Sequence, residues 1–200
     1  AEIPDSVQAL VMSRIDRLDE SSKLTIKVAS VIGQTFRYRA LHGIYPVEVS
    51  EERLQKNLER LSALDVIPLD QPAPEPEYIF KHIVTQEVAY DSLLFTHRRE
   101  LHHRFGEYME RTYAGKLEEY YGLLAYHYTR SGDLKKSWEY LVKAGNQARD
   151  RYANEAAIAY YTQALAIEGA PDDEVASVQE SLGSVYRHVG QYDQALKWYE

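Results

Sequence analysis

Apolar positions recur at helical spacing along most of the chain. Val7, Leu10, Val11, Ile15 and Leu18 fall on one helix face behind Asp5, a residue type that caps helix starts. A second helix is expected over about 20–32, where Leu24, Val28, Val31 and Ile32 repeat before Gly33 ends it. A short helix near 37–44 stops before Pro46. Ser50 then opens a helix with Glu51 and Glu52 in its positive first turn and Leu54, Leu58 and Leu61 as its apolar stripe. The period changes next. Residues 66–69 and 78–81 read as two short strands joined by the proline-rich stretch DQPAPEPE, and proline confines the first strand to an edge.

Beyond the hairpin, helices are expected over 84–95 and 97–113, carrying Val84, Val88, Leu94, Leu101, Phe105 and Met109. Gly115 marks a break, and 11 of the 17 tyrosines lie past it. Bulky rings paired with Ala or Gly suit close-packed helix hairpins. Residues 181–200 carry Leu182, Gly183, Tyr186, Gly190, Tyr192, Ala195 and Tyr199, and Ala157 and Tyr161 match the last two at a 38-residue offset. Leu124, Ala125, Tyr128, Gly132 and Leu141 fit the same order more loosely, with one helix over 133–152 serving two repeats. This large–small–large order resembles the tetratricopeptide repeat, whose period is about 34, with the GAPDDE loop supplying the extra residues. Three helices followed by a hairpin are the parts of a winged helix. The expected fold is mainly α: a winged-helix-like module with a short β-hairpin over 1–83, connecting helices over 84–115, and an α-solenoid of tetratricopeptide-like pairs over 116–200.

Composition narrows the function. The net charge of −8 divides evenly, with 14 Lys/Arg against 18 Asp/Glu over 1–115 and 9 against 13 over 116–200, so neither part offers a positive face to phosphates. Residues 50–65 hold three basic and four acidic side chains, a poor match to a helix that reads the major groove; a DNA-binding transcriptional regulator is therefore the alternative reading. There are no cysteines, no secretory leader pattern and no long apolar run, which points to a cytoplasmic protein without a membrane span. The start lacks Met and the end falls inside a helical pattern, so the chain reads as a piece of a longer protein.

Chemistry is sparse. No phosphate-binding glycine motif, no GxSxG and no thiol occur, and no catalytic set is evident, so the piece is expected to be neither an enzyme nor a cofactor binder. His102 and His103 point about 100° apart on a helix and cannot share a metal. Arg98, Arg99 and Arg104 form one basic stretch that fits either a phosphate or acidic-partner contact or a solvated face.

The segment IPDSVQALVMSRIDRLDESSKLTIKVASVIGQTF and the later FKHIVTQEVAYDSLLFTHRRELHHR resemble the region after the nucleotide-binding domain of STAND-class signalling ATPases. Bacterial members often place an adenylate or guanylate cyclase domain before the ATPase and tetratricopeptide repeats after it. The resemblance implies a regulatory role, with ATP or ADP and Mg belonging to an upstream domain. In related ATPases a Met-His-Asp motif sets its histidine against the β-phosphate of ADP. His82 stands at that position, after Phe80 and Lys81, while Ile83 replaces the aspartate. The repeat phasing further implies a partner groove faced by Glu119, Tyr126 and Thr129 from the first repeat and by Glu180, Ser184 and Arg187 from the last. The partners expected are the ATPase domain and peptide or protein ligands, not nucleic acid.

Overall fold

The computed structural model describes residues 5–170 and 172–199, Asp5 by its backbone alone, so the cap expected from the Asp5 side chain lies outside the described residues. The chain divides into two compact units, Ala1–Tyr108 and Met109–Glu200. Among the described residues there are eleven α-helices and one small sheet.

The first unit begins with α1 (Asp5–Asp16) and α2 (Glu20–Ile32), the latter capped by Asp19, whose carboxylate accepts from the Ser22 amide at 3.0 Å. β1 (Thr35–Arg37), α3 (Tyr38–Ile44) and α4 (Glu51–Ala63) follow, then β2 (Leu69–Gln71), β3 (Glu77–Ile79), α5 (Ile83–Asp91) and α6 (Phe95–Thr112), whose last turn, from Met109, belongs to the second unit. The Ser50 hydroxyl caps α4 as expected, accepting from the Arg53 amide at 3.3 Å. Leu54, Leu58 and Leu61 are fully buried, each stabilising the unit by roughly 1.5–3 kcal/mol. A buried polar network ties α2 and α4 to Tyr45 just after α3: the Asn57 amide donates to Ser21 Oγ at 2.8 Å and Thr25 Oγ1 at 3.0 Å, and Thr25 meets the Tyr45 hydroxyl at 2.9 Å.

The sheet corrects the expected hairpin. It has three antiparallel strands in the order β1-β3-β2, with Phe36 opposite Tyr78. Pro68 brings no amide, so the second strand starts beyond it, although the Pro68 and Val66 carbonyls accept from Ile79 and Lys81. β1 is too short to show alternation; burial of Phe36, whose ring stacks 5.8 Å from Tyr78, holds it in place. Two further expectations fail. Val7 and Leu10 are exposed rather than core residues, and Leu94 lies outside both helices at the α5–α6 junction.

The second unit contains a 3-10 turn (Leu117–Tyr120), α7 (Tyr121–Ser131), α8 (Leu134–Asp150), α9 (Asn154–Leu165), α10 (Asp172–His188) and α11 (Tyr192–Tyr199). Each of these helices packs on the next in sequence, and α8 packs on both α7 and α9 as one continuous helix. Tyrosine rings fill the gaps that glycines leave. A Cβ on Gly145 would lie 2.6 Å from the Tyr161 ring, and one on Gly183 would lie 2.9 Å from Tyr199. The two pairs are offset by 38 residues, which makes α8–α9 and α10–α11 successive copies of one hairpin. Under them, the Glu110 carboxylate accepts from the Tyr128 hydroxyl at 2.8 Å, from Lys136 at 2.7 Å and from the Tyr140 hydroxyl.

Candidate functional site

A concavity of the second unit lies where the end of α8 faces α10. It is a groove of about 460 Å³ lined by Arg149, Asp150, Tyr152, Asn154, Ser184, Val185 and His188. Ser184 and His188 stand one turn apart on α10, and the His188 Nδ1 lies 2.8 Å from the Ser184 carbonyl. A carbonyl can only accept, so Nδ1 carries the proton and the other ring nitrogen is left to meet a ligand. The Arg149 guanidinium is held at 2.9 Å from the Asp150 carboxylate and at 3.3 Å from Ser181 Oγ, so this cation is already neutralised locally. Beside the groove, buried Tyr161 donates to the Asn146 side chain at 2.7 Å. Burial is the main cause that pushes the Tyr161 phenol above its ordinary range, so it stays a neutral donor.

Such a surface has convergent hydrogen-bonding groups, a neutralised floor and one aromatic ring. It can hold a ligand. Residues 180–200 match the tetratricopeptide repeat. That match falls on α10 and α11, the second copy of the glycine–tyrosine hairpin, and marks a tetratricopeptide-type region in this unit. No curated protein and no solved structure matches the chain.

The residues expected at a partner groove are dispersed. Ser184 lines the groove, with Glu180 and Arg187 exposed on either side of it along α10. Glu119 sits in the 3-10 turn, not on α7, and pairs with Lys116 at 3.5 Å. Tyr126 and Thr129 are exposed on α7, where the Arg130 guanidinium lies 3.7 Å from the Tyr126 ring centre. Neither they nor Glu119 reach the groove between α8 and α10. Arg149, Tyr152, Asn154 and His188 were not anticipated. One signal was available: at the 38-residue offset, Tyr152 falls on Gly190, an aromatic residue in a glycine position.

In the first unit His82 is exposed at the start of α5, three residues after the end of β3, and its side chain makes no capping bond to the helix. It lines a small pocket of about 30 Å³ with Val11, Arg14, Ile15, Leu18, Asp65, Val66 and Thr85. On α6, Arg98 pairs with Asp91 at 3.5 Å and Arg104 with Glu100 at 2.7 Å, while the Arg99 guanidinium lies 5.8 Å from the Phe95 ring centre. The three arginines are thus engaged separately around the helix. His102 is buried against the Tyr90 hydroxyl at 2.9 Å, whereas His103 faces Glu107 at 3.6 Å, so the two histidines serve different faces. Among the described residues no group of His, Asp and Glu side chains could hold a metal ion, and no helix is long and apolar enough to cross a membrane.

Proposed function

We propose that this chain is a non-catalytic regulatory region that docks a protein partner on its tetratricopeptide-type hairpins and relays the nucleotide state of an upstream ATPase domain through a winged-helix-like module. The docking half rests on the repeated hairpin, in which Gly145–Tyr161 and Gly183–Tyr199 set two copies side by side and open the groove at Ser184. Tetratricopeptide arrays present such surfaces to peptide segments of other proteins. The relay half rests on the order of α2, α3, α4 and the sheet, and on His82 at the β3–α5 junction, where an imidazole can donate to a phosphate oxygen. A parent of this kind binds ATP or ADP with Mg in the upstream domain and carries an effector such as a nucleotide cyclase. The relay is tested by the ADP release rate of such a parent carrying His82→Ala.

The docking half is tested by probing an array of synthetic peptides with the 200-residue chain. Saturable binding that Ser184→Trp removes, by filling the groove, is the expected result. Binding to no peptide, or binding indifferent to Ser184→Trp, would sink the docking reading.

A further inference from the structure

We draw no further inference here: the strongest candidate, the exposed stripe of Tyr192, Leu196 and Tyr199 along α11, is an unpartnered apolar face, and nothing in the structure shows what covers it.

Discussion

At Glu110 burial and hydrogen bonding pull in opposite directions. Burial is the largest influence and opposes ionisation, but donation from Lys136, Tyr140 and Tyr128 outweighs it and holds the carboxyl below its ordinary range. The same arrangement, burial first and then the bond to Glu110, pushes the Tyr140 phenol well above its ordinary range. The signs fix the pH response. A depressed carboxyl contributes stability that is complete above the unfolded carboxylate range and is lost as pH falls through the folded value. A raised phenol contributes stability that is complete below the unfolded value of 10.0 and is lost as pH rises beyond it. Glu110→Gln keeps the shape but weakens the three bonds, and is expected to cost about 1–3 kcal/mol at neutral pH. It should also flatten the acid limb of a plot of Tm against pH below about pH 5. A variant whose acid limb matches that of the unmodified chain would show that Glu110 is not the group responsible. Tyr128 and Tyr140 stack with ring centres 5.5 Å apart, so the network also fixes two of the largest buried rings in the unit.

At the scale of elements, the spacing of α8 from α9 is set by Gly145. A methyl group there would meet Tyr161 ring atoms at 2.6 and 2.7 Å, and Tyr161 is fully buried with its hydroxyl tied to Asn146. Gly145→Ala is therefore expected to destabilise the unit by about 1–3 kcal/mol, read as a lower urea midpoint. Gly115→Ala, with open space around it, should stay within about 0.5 kcal/mol. Equal midpoints for the two variants would mean that the ring yields and the hairpin does not depend on close approach. The repeat of Ala157 and Tyr161 as Ala195 and Tyr199 was legible in the sequence because of its 38-residue offset, and the stripe Leu54, Leu58 and Leu61 because its period is helical, whereas the approach of Gly145 to Tyr161 was not read. Less local features were not. β1 has three residues and owes its existence to Phe36 packing on Tyr78, a contact made across about forty residues. Val7 and Leu10 share a helical period with Ile15, yet periodicity cannot say how far along α1 a covering surface extends. The groove was half visible: Ser184 came from the repeat phase, whereas Arg149, Asn154 and His188 meet only once α8 and α10 lie side by side.

At the scale of the whole chain, charge bears on the proposed relay. The two parts carry about −4 each, and α4 offers Glu51, Glu52 and Glu59 against Arg53, Lys56 and Arg60. Nucleic-acid affinity comes mainly from cations that release counterions at phosphates, and a balanced helix on an acidic chain supplies little of that force. A single nucleotide phosphate is a different target, because it carries far fewer charges than a nucleic-acid backbone. His82 and Arg14 line the same pocket of about 30 Å³ at the start of α5, together with the Asp65 carboxylate that Lys81 pairs, and the positive end of the helix favours an anion there. His82 is exposed and makes no capping bond, so replacing it should leave the Tm of this chain within about 2 °C. If it holds the phosphate of ADP in a parent carrying the upstream ATPase domain, His82→Ala removes one charge-assisted hydrogen bond worth about 1.5–3 kcal/mol. That corresponds to ADP release about ten- to a hundredfold faster, with higher output in the absence of signal. The stopped-flow release of a fluorescent ADP analogue reads this directly. An unchanged rate in a parent of unchanged stability would remove His82 from the relay and leave the chain with partner docking alone.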